Sequence, residues 1–423
     1  MDIKELTEAV AGAGTAFRVS AVMQPVGGAG TPVYPATYAV PDNARTRYAV
    51  EGPILDEGET ERTANHWETA LLMSVAQGAR GLQYAVQDKI DAGEVSIPLM
   101  EIDFTSVEDG EGKADLADLG ALSTLGLPHR VYDAAIRDSL LDGTLFRLSD
   151  IGRAITEARP GDATALYQYA PTVLLFGGWD STGPKGGLGS KFERAIYSEI
   201  VAHDIRLGVK VGSRIDPLEI EKVENVVYKL DKGDEEWVLK ADAGGAKGKA
   251  VRPSEINHGN VTPSIDKQAG GIVMDHATHT CVLSLGTLRK LRFATYPDGT
   301  AVPREKRKAV NDAVRTVIAA LGLVAITSRM EGDFALRSRC DLINEGAWTL
   351  ELIGKHAQDI SVVSLTANDA ITLLNQAVAQ AASLGMTWES DPIVLYPADK
   401  LVGLIRASRE KLMAENPTDG GEG

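Results

Sequence analysis

The stretch Phe176-Gly-Gly-Trp-Asp-Ser-Thr-Gly-Pro-Lys-Gly-Gly-Leu-Gly-Ser-Lys191 organises the reading of this chain. Residues 172–176 (Thr-Val-Leu-Leu-Phe) before it read as a short buried strand. Ser190 and Glu193 after it have the Ser-x-x-Glu spacing of a capping box, and Phe192, Ile196 and Ile200 then predict the apolar stripe of a helix. Strand, glycine loop and helix start in that order make an anion site, because glycines admit a close approach to backbone amides at a helix N-terminus. Lys185 and Lys191 add charge, and Ser181 and Thr182 add hydroxyls. A nucleotide-hydrolysing loop needs Gly-x-x-x-x-Gly-Lys-Ser/Thr. Here Gly189 is followed by Ser190 and only then Lys191, so the order is wrong. A phosphate-backbone cradle and a purely structural glycine loop both stay open.

Outward from the loop, residues 16–24 predict a strand, stopped by Pro25 and Gly27-Gly28. Residues 25–58 predict an irregular excursion. Residues 61–77 predict a helix, with Ala64, Trp67, Leu71 and Val75 on one face. Ile97 to Phe104 predicts a strand, and 106–119 an acidic, mobile loop. Residues 241–275 carry no clear pattern; a loop that long is usually functional or disordered. Strands are expected at 277–285, 322–328, 333–338 and 347–353, and amphipathic helices at 305–321 and 368–384. Residues 416–423 are a polar tail. Strands and helices mix without regular alternation, which favours an α+β fold over a doubly wound parallel sheet. The expected organisation is one elaborated domain over 1–423.

The 423 residues carry 43 Lys+Arg against 59 Asp+Glu, a net charge of −16. Taken whole, that opposes a nucleic-acid partner. The distribution is uneven: residues 1–125 carry −12, 126–330 carry +3 and 331–423 carry −7. Within 286–308, Arg289, Lys290, Arg292, Arg304, Lys306, Arg307 and Lys308 outnumber Asp298 and Glu305. Such a dipolar chain permits a local anion-binding surface. The two cysteines, Cys281 and Cys340, are too few for a disulfide framework or a zinc knuckle. Met1 to Glu5 show no signal-peptide pattern, and no run of about 18 apolar residues marks a membrane span. The expected location is the cytoplasm, with no membrane partner.

His276 and His279 have a helical metal-ligand spacing, but their neighbours predict a strand and no third ligand is near, so no metal or cofactor is expected. Asp180 and Asp275 are candidate general bases without an evident partner. Tyr34, Tyr38 and Trp179 lie in polar or glycine-rich segments, where aromatics either pack the loop or stack on unpaired bases.

Four blocks resemble a known family. They are Gln24-Pro25 through Tyr38; Glu61-Arg62-Thr63-Ala64-Asn65-His66-Trp67-Glu68; the Trp179 to Gly189 loop continuing to Glu199; and Pro253-Ser254-Glu255-Ile256-Asn257-His258-Gly259-Asn260 with Gly270-Gly271 and Leu283 through Phe293. Together they resemble the crRNA-binding backbone subunit of CRISPR Cascade, subtype I-G (formerly I-U), in the RAMP superfamily. The second block departs from the family's Ser-Gln-Ala-Asn-Arg, which moves the basic contact to Arg62 or weakens it at His66.

The resemblance implies a ferredoxin-like, RRM-related palm with large thumb and finger insertions, the thumb placed at 241–275. It implies a non-catalytic subunit that polymerises head to tail along crRNA and presents the guide for pairing with target DNA. Its further partners would be a large PAM-sensing subunit and a fused cap-and-processing subunit. The RNA-contact set is Lys185, Lys191, Arg194, Asn65, Arg62, His66, Trp179, Ser181, Thr182, Gly186, Gly187, Gly189, Asn257, His258, Arg289 and Arg292. Two alternatives remain: an RNA-cleaving subunit using Asp180 or Asp275, and a nucleotide-binding protein using the 177–189 loop.

Overall fold

Period-two burial builds the central sheet. The computed structural model describes residues 1–38, 46–61, 63–108, 115–182, 189–215, 217–218, 220, 227–230, 237–239, 248–256, 258, 261–266 and 269–415. The elements used below are β1 (Ala16–Pro25), β2 (Val50–Ile54), β3 (His66–Met73), α1 (Val75–Asp91), β4 (Ile196–Leu207), β5 (His276–Ser284), α2 (Arg307–Glu331), β6 (Phe334–Arg337), β7 (Cys340–Asn344), β8 (Thr349–Ile353), β9 (Ile360–Val363) and α3 (Ala367–Ser383). In β1, Phe17, Val19, Ala21 and Met23 are buried while Ser20 and Val22 are exposed. In β5, Ala277, His279, Cys281 and Leu283 turn the same way. That alternation gives each strand one core face and one outer face.

The sheet runs β6–β7–β1–β5–β4–β3–β2. β8 lies beside the first half of β1, on the flank where β7 pairs with its end, and β9 extends β8. The central four strands stand in the order β8–β1–β5–β4, each antiparallel to its neighbour. With α1 before β4 and α2 before β8, this is the split βαβ arrangement of a ferredoxin-like unit. The fold is α+β. A second, mixed sheet joins Met100–Asp103 in parallel to Ile393–Pro397, with Ser139–Leu141 antiparallel on the other side.

α2 is the core helix. From Val314 to Thr327 every residue is buried, beneath α1, α3 and the sheet. By length and composition it could cross a membrane, against the expectation that no segment could; 83% of its most apolar window lies inside the protein. The expected strand at 322–328 is part of this helix. A helix buried on all sides shows no polar face, so its apolar run reads like a strand.

Three further expectations are overturned. Residues 61–77 are not one helix: β3 occupies 66–73, paired with β4 and β2, and α1 starts only after Ser74 caps Gln77. Residues 172–176 are not a strand but the helix Pro171–Phe176, all six residues buried. The helix expected after Ser190 is also absent, for the two-residue strand Lys191–Phe192 leads into the 12-residue strand β4. Side chains at 192, 196 and 200 satisfy both periods, because a spacing of four fits a helix turn and two strand repeats alike. Burial in β4 alternates from Ile196 to Ala202, and the sheet decides the matter.

The insertion between β4 and β5 starts well before 241. Its described parts include Lys210–Arg214 paired with Val261–Asp266, and Val227–Leu230 between Trp237–Leu239 and Gly248–Val251. The segment 241–275 therefore carries strands where no pattern was legible. Residues 241–247 and the 416–423 tail lie outside the described residues. The described part of the acidic 106–119 loop is tied down: Arg406 holds Asp115 and Arg409 holds Asp118. α1 seats closely on the sheet at Gly78, where a Cβ would meet the Ser198 carbonyl oxygen at 2.0 Å.

Candidate functional site: a hairpin and the two ends of the palm

The glycine-rich stretch forms a hairpin. Gly178 pairs with Phe192 and Trp179 with Lys191, antiparallel. Its tip, 183–188, lies outside the described residues, and with it the expected contacts Lys185, Gly186 and Gly187. Arg62 and Asn257 lie outside them too. The expected anion cradle at a helix N-terminus is not formed here, since the helix precedes the loop and a strand follows it.

The hairpin base is closed by arginines. Asp180 is 1% exposed, and Arg147 Nη2 pairs with its Oδ1. Arg147 Nη1 also donates to the Thr182 carbonyl at 2.6 Å. The Asp180 amide donates to the Ser190 carbonyl at 3.0 Å. Ser190 is buried; its hydroxyl donates to the Ala158 carbonyl and accepts from Arg159, so it caps nothing. Gly189 is required by packing: a Cβ there would lie 2.0 Å from the Asp180 carbonyl oxygen. Above this base, Trp179 is 51% exposed, with the Lys191 ammonium 6.0 Å from its ring centre. Ser181 and Thr182 are exposed beside them.

Other expected residues cluster at the same end of the palm. Arg194 is exposed and donates to the Val75 carbonyl at the start of α1, 3.3 Å away. Lys290 pairs with Glu193, which ties the 289–292 segment to the strand leaving the hairpin. Arg292 is exposed, with Nη1 donating to the carbonyls of Arg289 and Leu291. Arg289 is half-buried. It holds the N-terminal segment through the carbonyls of Ala9, Val10 and Gly14. Its pKa is held below the usual arginine value by burial.

Asn65, His66 and His258 stand elsewhere. Asn65 is exposed and its carbonyl accepts from the Leu207 amide; His66 pairs with Asp204. Both lie at the far end of β4, roughly 30 Å from the Ile196 end at about 3.3 Å per residue. His258 sits in the insertion, edge-on to Trp237 at 6.1 Å. Tyr34 is at the far end too. There it joins Arg47, Tyr48, Lys210 and Arg337 around a cavity of about 650 Å³ with no carboxylate among its lining residues. The expected sites thus fall into two groups at opposite ends of the palm.

Asp275 is exposed and pairs with His276 Nδ1 at 2.8 Å. On β5 a spacing of three puts His276 and His279 on opposite faces. His279 is buried and bonded to Ser198, while His276 stacks on His203. Among the described residues no group of three metal-ligating side chains exists.

Sequence reasoning missed Arg147, Arg159, Arg47, Lys210 and Arg337. Each reaches its place through the fold, from a segment without a motif; the positive middle of the chain was a signal for Arg147, Arg159 and Lys210 alone, and Arg47 and Arg337 lie in the acidic ends.

The comparison with curated proteins finds no match. A family model described as CRISPR-associated protein GSU0053 (Cas_GSU0053) matches residues 17–207, a little under half of the chain. That stretch runs from β1 through the hairpin to the end of β4, and the match indicates a CRISPR-associated protein.

Proposed function

We propose that the chain is a non-catalytic, RNA-binding backbone subunit of a type I CRISPR surveillance complex, of the I-G kind, working in the cytoplasm. Copies stack head to tail along crRNA and leave the guide bases free to pair with target DNA. A large PAM-sensing subunit and a fused cap-and-processing subunit complete the assembly.

The observation that carries the reading is the exposed Trp179–Lys191 pair on a hairpin of the palm, within the matched region. An aromatic face with an adjacent cation binds single-stranded nucleic acid by stacking and phosphate attraction, without reading sequence. The non-catalytic part is supported by Asp180, whose carboxylate is sealed under Arg147 rather than open to a substrate. Head-to-tail stacking is a heterologous contact, which gives open helical filaments when the rotation does not close.

The test is electron microscopy of the protein produced with its CRISPR transcript. Filaments whose length scales with the length of the RNA are expected. Particles of fixed size, indifferent to RNA length, would overturn the polymer reading.

A further inference from the structure

The start of α1 borders a cavity of about 460 Å³ whose lining includes Ser74, Gln77, Arg80, Gln83, Arg130 and Arg194. Three arginines are among the residues lining this space, and no carboxylate is. Arg130 is 6% exposed. An arginine so deeply buried is ordinarily paired with an acid. Here Nη1 donates to the Gly177 carbonyl at 2.9 Å and Nη2 to the Gln83 side-chain oxygen at 3.3 Å, both neutral, while Nε has no partner among the described residues. Burial first, and then the charge of Arg194, pull its pKa down to about 10. Arg194 and Arg80 likewise donate to neutral groups, the Val75 carbonyl and the Tyr84 hydroxyl. Several other arginines of this acidic chain hold carboxylates, as Arg147 holds Asp180 and Arg406 holds Asp115. α1 is 17 residues long, and its positive end adds to the same field.

We propose that this cavity binds a phosphate group, supplied by a phosphodiester of single-stranded RNA. Only the source of the phosphate rests on the RNA-binding reading; three arginines that meet no carboxylate among the described residues call for an anion in any case. The volume lies in the range of roughly 300–1,000 Å³ typical of small-molecule pockets, so a sugar fits beside the phosphate. Arg130 also holds the carbonyl of Gly177, the residue just before the hairpin, so the cavity and the Trp179–Lys191 face share a support.

The experiment uses the full-length protein with two probes, a labelled single-stranded RNA and inorganic phosphate. Arg80→Ala with Arg194→Ala is the test variant, because both side chains are exposed and Arg130 can stay in place as a packing element. Arg153→Ala, an exposed arginine elsewhere, controls for net charge. Thermal melting confirms that each variant folds. The double variant is expected to lose about tenfold or more in RNA affinity at low salt, and about two from the log–log salt slope. Inorganic phosphate is expected to bind wild type saturably and the double variant not at all, with Arg153→Ala unchanged in both assays. RNA binding equal in wild type and double variant would overturn the assignment while the RNA-binding reading stands. Phosphate binding that is lost in the double variant, with no RNA binding by wild type, would uphold the anion pocket and overturn its RNA source. Binding of neither probe would overturn both.

Discussion

Lys191 stands beside the indole of Trp179, its ammonium 6.0 Å from the ring centre, across a ladder only two residues long. The pair couples a stacking face to a phosphate-seeking charge. Trp179→Ala is expected to weaken single-stranded RNA binding by about 1–3 kcal/mol, the usual worth of one stacked base. Lys191→Ala should weaken it uniformly across guide sequences and lower the salt slope by about one. Fluorescence anisotropy at several salt concentrations measures both.

Buried Asp180 and half-buried Arg147 pair at the hairpin base. Arg147→Ala leaves the buried Asp180 carboxylate without its cation and is expected to cost about 3–5 kcal/mol of stability. The Arg147→Ala/Asp180→Ala double variant should cost less than the sum of the single changes. Urea unfolding reads these differences. The assembled complex should leave complementary RNA uncut in Mg²⁺, which a gel of end-labelled RNA decides.

His279 gives the fold a pH dependence. Burial, then the nearby Arg329 charge, lower its pKa to about 4. In the unfolded chain the ring has an ordinary pKa near 6.5. Between these values the unfolded state binds the extra proton, so stability rises with pH across the window. From pH 7 down to pH 4 this residue alone should remove roughly 3 kcal/mol, at about 1.4 kcal/mol per pH unit. His279→Gln should flatten the urea midpoint over that range while retaining a partner for Ser198.

The helix Asp399–Glu415 is latched by partly exposed charges, Arg406 on Asp115 and Arg409 on Asp118. Arg406→Ala with Arg409→Ala should speed proteolysis at this helix in low salt. In wild type, 1 M salt should have the same effect, since screening then acts over about 3 Å.

How much of this was legible varied with the local physics. β1 and β5 show in the sequence because one face is buried and the other wet, so polarity alternates. The start of β4 does not, because Phe192, Ile196 and Ile200 recur at a spacing common to both periods; only pairing with β5 and β3 settles it. The middle of α2 misleads for the opposite reason: from Leu321 to Ile326 it has no wet face to report. At the site, Trp179 and Lys191 are readable because one motif holds both. Arg80, Arg130 and Arg147 are not, because each acquires its meaning from residues 33 or more positions away or from a cavity that only the fold creates.

The central claim, that this chain grips one defined RNA, is tested most directly by what copurifies with it when the protein and its CRISPR array are produced together. An excess of absorbance at 260 nm and a single discrete RNA band are expected, surviving moderate salt and absent from the Trp179→Ala/Lys191→Ala variant. Protein free of nucleic acid, or a smear of RNA lengths identical in wild type and variant, would contradict it.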